Sequence, residues 1–387
     1  MNKLLITRWE DGILTALWDG SRVLEFRMER EDSAVQVGDI YLGKIKNLVK
    51  NIRAAFVEVR PGILCFLQLH KGEQHYREGD EIPVQVSREA VKTKSPVVTD
   101  RISLGGRYLV LVSDQIRVAV SSKIRDSERR EALQKLLAED VRREQVGFIL
   151  RTNAETAEDN VILKEAARLI ARYRQITETS LHRPAFTRLW QGAPAYLEGV
   201  RDSREGSLES VITDDAEIYE SLQAGLADAS YIRPEQLILY QDERLSLKNL
   251  YRLEHFLEQA LDRRVWLKSG GYLVIEPTEA LTVIDVNTGK YDGHKGAEET
   301  FLKINLEAAR EIAFQMRLRN LSGIILVDFI DMEDPEHRQQ LYETLREVIR
   351  RDPVKTILVD ITMLNLAELT RKKTRKTLLE QMKRKDM

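Results

Sequence analysis

Along the chain, the spacing of apolar residues changes from strand-like to helical and then alternates between the two. Leu4 to Thr7, Ile13 to Trp18 and Val23 to Met28 read as strands of a small meander, joined at Asp11-Gly12 and Asp19-Gly20, both strong hairpin signals. From Val37 to about Gly106, Gly38-Asp39, Pro61-Gly62, Lys71-Gly72 and Gly79-Asp80 punctuate short alternating runs, and many short strands at that spacing predict a small barrel. After Ser127 the period becomes helical. Glu131 to Glu139 is one pattern, and Ile162, Ala166, Leu169, Tyr173 and Ile176 mark a longer amphipathic helix, with Val146 to Leu150 as a strand between them. A linker-like region rich in Pro, Gly and Ser spans roughly His182 to Ser207, followed by alternating helices and strands. The apolar strands there are Tyr272 to Ile275, Thr282 to Asp285, Ile324 to Asp328 and Ile357 to Ile361. There is no internal repeat and no low-complexity tract.

Two of these strands run apolar and β-branched into a carboxylate: Leu281-Thr282-Val283-Ile284-Asp285-Val286-Asn287 and Gly323-Ile324-Ile325-Leu326-Val327-Asp328. Such runs read as buried strands. Between them Ile304, Ala308, Ile312 and Gln315 recur at helical steps, so strand, helix and strand are expected to pack as one βαβ-like unit that brings Asp285 and Asp328 together. Two carboxylates sharing a site repel unless one is protonated or a cation lies between them. Hard oxygen ligands favour magnesium or manganese, so these residues point to a metal-dependent phosphoester enzyme. A strand-end Asp can also be a plain cap or turn residue. Asp334-Pro335 reads as a helix N-cap followed by proline at the first helical position, and Asp331 as a cap for the turn after its strand.

Composition narrows the setting. The chain has 387 residues, enough for two or three domains. A formal net charge of −2 conceals a charged fraction of 32%, so distribution matters more than balance. Acids cluster between Asp202 and Glu220, while Arg371-Lys372-Lys373-Thr374-Arg375-Lys376 and Lys383-Arg384-Lys385 are basic, reading as a solvated face or a nucleic-acid contact. With Cys65 as the single cysteine, no disulfide framework or Cys-based zinc site can form within one chain, and a cytoplasmic setting fits best. Met1 to Thr7 is too short an apolar stretch for a signal peptide, and no apolar run is long enough to span a bilayer.

In the barrel region, Ala54-Ala55-Phe56-Val57-Glu58-Val59 and Ile63-Leu64-Cys65-Phe66-Leu67-Gln68 alternate so that Phe56 and Phe66 fall on the polar faces. Two outward aromatics offer a stacking platform for bases, with Lys44, Lys46, Arg53, Arg88, Lys92 and Lys94 to neutralise phosphates. Covering a barrel end or packing on a neighbouring domain is the alternative use for the same rings.

With these pieces in place, the chain resembles the ribonuclease E/ribonuclease G family over nearly its whole length. The resemblance centres on Glu279 to Gly289 and continues through Glu298-Glu299-Thr300, Asn305-Leu306-Glu307-Ala308, Arg317-Leu318-Arg319-Asn320 and Gly323 to Met332. The segment Leu366 to Lys376 looks most like the ribonuclease G branch. The resemblance implies an α+β and α/β multidomain fold. Its expected parts are a ribonuclease-H-like scaffold split over 1–36 and 185–264, an inserted OB-fold RNA-binding barrel over 37–106, a 5′-monophosphate sensor region over 107–184, and a DNase-I-like nuclease domain over 265–387 with a basic tail. It also implies that Asp285 and Asp328 are magnesium-binding catalytic carboxylates and that Asn287 orients them. Phe56, Phe66 and Lys94 would contact RNA, while Arg151 and Thr152, with Gly106 and Val110, would receive a 5′-monophosphate. The implied activity is magnesium-dependent cleavage of single-stranded RNA to 5′-phosphate and 3′-hydroxyl ends, in rRNA and tRNA processing and mRNA decay. Manganese is a possible substitute for the ion.

Family members usually continue into a cysteine pair that shares a zinc ion between two subunits, and then into a small dimerisation domain. This chain reaches Met387 without them, so no zinc site is expected and the usual dimer is left without its link. The competing reading is a non-catalytic RNA-binding homologue that lost turnover with the dimer. Intact Asp285, Asn287 and Asp328 argue against it. A phosphate-binding-loop enzyme is disfavoured because Asn287-Thr288-Gly289-Lys290 lacks the spaced glycines.

Overall fold

The structure is a computed structural model. It describes residues 2–30, 35–69, 76–90, 95–203, 206–227, 232–289, 297–362, 364 and 366–383. Two compact units divide the chain, one comprising Met1–Arg30, Glu209–Tyr219 and Gln236–Met387, the other Glu31–Leu208 and Glu220–Glu235. Lys71-Gly72, Lys92 and Lys94 lie outside the described residues.

The opening alternation folds as the antiparallel strands β1 (Asn2–Trp9), β2 (Gly12–Trp18) and β3 (Val23–Arg30). At the second turn the Asp19 carboxylate accepts the N–H groups of Ser21 and Arg22, which closes the hairpin locally.

The punctuated region that follows closes on itself. Strands β4 (Ile40–Val49), β5 (Ala54–Arg60), β6 (Ile63–Gln68), β7 (Glu81–Arg88) and β8 (Val97–Thr99) run in the order β4-β5-β6-β8-β7, and β7 returns to pair with β4. This is a closed five-stranded barrel consistent with an OB-like fold. Its interior holds Ile45, Val57, Val59, Cys65, Leu67, Val84 and Val98. Burial pushes the Cys65 thiol up to about 12.

Beyond the barrel, β9 (Ser103–Gly105), β10 (Leu109–Val112), β11 (Val118–Val120) and β12 (Gly147–Leu150) form a second sheet in the order β11-β12-β10-β9. The helical pattern expected over Glu131 to Glu139 is broken into α1 (Ser127–Leu136) and α2 (Ala138–Glu144). The break falls at Leu137, which is fully buried with ψ near 0°. Helix α3 (Asp159–Ser180) packs the predicted apolar row Ile162, Ala166, Leu169 and Ile176 into the same core as Leu109, Leu111 and Phe148.

The region read as a linker carries regular structure among its described residues. It contains β13 (Arg188–Trp190), paired with β4, and helix α4 (Ala195–Asp202). Side chains outweigh the loop-like composition here: the Arg172 guanidinium lies 4.2 Å over the Trp190 ring, and Tyr196 and Val200 are buried.

In the other unit, β14 (Leu208–Thr213) pairs in parallel with β15 (Leu237–Leu239), extending the opening meander into a sheet of order β15-β14-β1-β2-β3. Helix α5 (Ala216–Ala227) lies between these two strands in sequence. Helices α6 (Leu247–Leu250) and α7 (Leu253–Leu261) follow, and Leu247, Leu253 and Leu257 join Leu5, Leu14, Phe26 and Ile212 in one core.

The last segment comprises β16 (Arg264–Trp266), β17 (Tyr272–Pro277), β18 (Leu281–Asn287), α8 (Ala297–Leu318), β19 (Gly323–Asp328), α9 (Pro335–Arg350), β20 (Thr356–Ile361), β21 (Leu366–Arg371) and α10 (Leu378–Met382). Its sheet has the order β16-β17-β18-β19-β21-β20; only the β18–β19 pair is parallel. Ile304, Ala308 and Ile312 of α8 and Leu341, Leu345 and Ile349 of α9 bury one face against Ile284, Val286, Ile325 and Val327. The opposite face, with Val283, Asp285, Asn287, Leu326 and Asp328, is half-buried or exposed. Of the basic stretch read as a solvated face or a nucleic-acid contact, the first residue, Arg371, ends β21 between β19 and β20 and is buried. Among the described residues no helix is long and apolar enough to cross a membrane.

Candidate active site

The expected βαβ unit sets the site. Because β18 and β19 are parallel neighbours, residues paired across them share a face, and Asp285 is the register partner of Asp328. Adjacent strands lie about 4.8 Å apart, so both carboxylates stand side by side at the strand ends. Both are exposed on the face that α8 and α9 leave open. Asn287, two residues beyond Asp285 and on the same face, donates its Nδ2–H to Asp285 Oδ2 at 2.8 Å. Partial burial, followed by the charges of Asp285 and Asp331, raises the Asp328 carboxyl above the ordinary carboxylate value.

Several motif residues with no assigned role fix segments around the strands that carry this pair. Asn305, buried on α8, receives the N–H of Ile330 at 3.1 Å and donates to its carbonyl at 2.8 Å, pinning the loop after Asp328. Glu298 accepts the N–H groups of Asp334 at 3.0 Å and Glu333 at 3.3 Å, and these bonds, that of Asp334 foremost, lower its pKa. Glu307 accepts those of Lys268 at 2.7 Å and Ser269 at 3.0 Å, anchoring the β16–β17 turn. Gly289 ends the β18 side of the site at φ +70°, where a Cβ would lie 2.2 Å from the Gly270 carbonyl oxygen, so only glycine fits. Asp334 caps α9 through the Glu336 N–H, with Pro335 at the first helical position, as its sequence implied.

A hard divalent cation suits this donor set. Such ions are commonly held by one or two carboxylates, with waters and substrate phosphates completing the shell. Among the described residues, no group of three or more His, Cys, Asp or Glu is arranged to hold a metal.

Comparison with known proteins shows the family. The model of the ribonuclease E/G family matches residues 103–374. "Ribonuclease G" of Salmonella typhimurium (strain SL1344) is 34% identical over 97% of this chain and 80% of its own length. The chain belongs to the ribonuclease E/G family. "Ribonuclease G" of Escherichia coli (strain K12) is likewise 34% identical over 97% of the chain and 81% of its own length. "Ribonuclease E" of Synechocystis sp. (strain ATCC 27184 / PCC 6803 / Kazusa) is 32% identical over 89% of the chain and 53% of its own length. As a member of the ribonuclease E/G family the chain is an endoribonuclease, with RNA as its substrate.

The remaining residues singled out in the sequence fall into two groups in the other unit. Phe56 and Phe66 are register partners on the outward face of the barrel, half-buried, with ring centroids 6.1 Å apart in an edge-to-face arrangement. Beside them, Lys44 pairs with Glu81 at 3.8 Å and Lys46 with Glu58 at 3.3 Å. Val110 lies on β10, Gly106 directly follows β9, and Arg151 and Thr152 directly follow β12. Arg151 Nη1 donates to the Gly106 carbonyl at 2.9 Å and to Asp202 Oδ1 at 2.8 Å. Thr152 Oγ1 lies 3.4 Å from Ser121 Oγ.

Glu165 was missed. Buried on α3, it accepts the N–H groups of Arg107, Tyr108 and Leu109, and a Cβ at Gly106 would lie 2.3 Å from its carboxyl carbon. The signal was its position three residues after Ile162, on the apolar face, where a charged residue needs partners.

Proposed function

We propose that Asp285 and Asp328 seat a magnesium ion, which manganese can replace, and that the chain cleaves single-stranded RNA there. The supporting observation is the parallel register that sets Asp285 beside Asp328, with Asn287 fixing one Asp285 oxygen. When bound, the ion supplies Lewis-acid polarisation of the scissile phosphate and acidifies water near it. The chain's own part is positional: Asp285 and Asp328 present anionic oxygens, and Asn287 limits rotation of the Asp285 carboxylate. Both carboxylates must be ionised to hold the cation, and the raised pKa of Asp328 makes activity fall as pH drops toward its value. Water adds to phosphorus and the 3′-oxygen leaves, giving 5′-phosphate and 3′-hydroxyl ends.

In this reading the sheet of order β15-β14-β1-β2-β3 is a ribonuclease-H-like scaffold, β16 to β21 with α8 and α9 a DNase-I-like nuclease domain, and the barrel an RNA-binding module. Phe56 and Phe66 stack bases, with Lys94 as a phosphate partner. The work is maturation of rRNA and tRNA and turnover of mRNA, in the cytoplasm. The test is end chemistry: an internally cleaved RNA whose downstream fragment accepts new 5′-label only after phosphatase treatment supports the reading. Fragments with 5′-hydroxyl ends exclude it.

We also infer that Arg151 and Thr152, with Gly106 and Val110, receive a 5′-monophosphate, in competition with Asp202. Burial pushes the Asp202 carboxyl up, but Arg201 and Arg151 outweigh it and hold it below the ordinary range. A phosphate arriving at the Arg151 fork must displace that carboxylate. Asp202→Asn should therefore increase the preference for 5′-monophosphate over 5′-hydroxyl RNA by up to about fivefold, the scale of a partly exposed ion pair. Paired cleavage rates on the two RNAs measure it, and an unchanged ratio removes Asp202 from the site.

A further inference from the structure

We propose that Trp266 and Tyr272, with Arg264, form a base-stacking subsite for a nucleotide flanking the scissile phosphate. The proposal rests on the assignment of Asp285 and Asp328 as the cleavage site. Its basis is register. Trp266 pairs with Tyr272, which pairs with Asn287; in the next row Arg264 pairs with Val274, which pairs with Asp285 beside Asp328. Residues paired across neighbouring strands share a face, so the aromatic rings and carboxylates occupy one open surface. Two strand spacings, about 10 Å, separate Trp266 from Asn287.

The rings are prepared for stacking. Trp266 is 64% exposed, an unusual position for the largest apolar side chain at the edge of a sheet whose other face is a closed core. Its centroid lies 5.2 Å from that of Tyr272 at an interplanar angle of 55°, so the two rings form a corner with an open face. The Arg264 guanidinium carbon is 4.6 Å from the Tyr272 centroid and 5.7 Å from that of Trp266, adding a cation beside the rings. An aromatic face with an adjacent guanidinium is the chemistry that binds an unpaired nucleobase and its phosphate irrespective of sequence.

The test pairs protein variants with abasic RNA. Affinity for a labelled single-stranded RNA is measured in chelator, and single-turnover cleavage in magnesium, for the wild type, Trp266→Ala and Trp266→Phe. The RNAs carry a single abasic ribose, moved position by position across the cleavage site. Trp266→Ala should weaken binding by about fivefold to a hundredfold, with Trp266→Phe restoring most of it. One abasic position should weaken wild-type binding to the same degree and leave Trp266→Ala no weaker than before. Wild-type affinity in Trp266→Ala overturns the proposal, as does an equal loss at every abasic position, or a change of oligomeric state without a change in RNA affinity. If the wild type binds RNA but does not cleave it, the cleavage-site reading fails, and the affinity measurements still decide whether Trp266 stacks a base.

Discussion

Asp328→Asn is expected to lower the rate of RNA cleavage by roughly a thousandfold or more while leaving RNA affinity and the fold intact. The amide keeps the shape of the side chain but removes the anionic charge that faces Asp285. Losing one charged seat for a divalent cation costs about 4 kcal/mol of transition-state stabilisation, which is about three orders of magnitude in rate. Stability should move the other way. The Asp328 carboxyl sits above its ordinary value because of partial burial and then the charges of Asp285 and Asp331. The native state therefore holds that proton more tightly than the unfolded chain, and ionisation subtracts stability as pH rises through the carboxylate range. Asparagine removes that penalty, so at neutral pH in chelator the variant should melt at or above the wild-type temperature. Single-turnover cleavage, RNA affinity and thermal unfolding measured side by side check all three points. Cleavage within tenfold of wild type would exclude Asp328 from the site.

Arg371→Ala should produce the largest loss of stability. The side chain is buried, with Nε donating to Asp352 Oδ2 at 2.6 Å and Nη2 to Asp352 Oδ1 at 3.2 Å, while Nη1 reaches Asn320 Oδ1 at 3.0 Å and the Leu321 carbonyl at 2.9 Å. Both side chains of the ion pair are almost inaccessible, at 2% and 3%. Removing the guanidinium strands a buried carboxylate, which costs about 3–5 kcal/mol. The melting temperature should fall by about 10 °C, read by calorimetry or circular dichroism. Arg371→Lys should recover only part of this, because an ammonium cannot make the two-pronged contact with Asp352. Arg371 is the register partner of Gly323, at the end of β19 opposite Asp328, so the folded fraction should cleave RNA at the normal rate. A loss below about 1 kcal/mol would show that the ion pair is not held as described.

Arg371 also marks where the sequence stopped being legible. The strand Leu366–Arg371 alternates inward and outward, but the basic residues that follow it dominate the local composition, and its partners lie on β19 and β20, remote in sequence. The same distance hides Arg151 from Asp202, 51 residues apart, and Asn305 from Ile330. Strand β16 is three residues long, too short for any period to announce it, so the Trp266 surface was not foreseen. By contrast, the carboxylate pair was readable because β-branched runs specify strands, a 3.6-residue apolar period specifies the helix between them, and parallel pairing then leaves little freedom in where the strand ends fall. The outward placement of Phe56 and Phe66 followed from the two-residue period alone.

The most direct test of the central claim is the magnesium dependence of single-turnover cleavage of a labelled single-stranded RNA by the wild-type chain. The account predicts no cleavage in excess chelator and a rate that rises with magnesium to saturation. Cleavage at the full rate in chelator would contradict it.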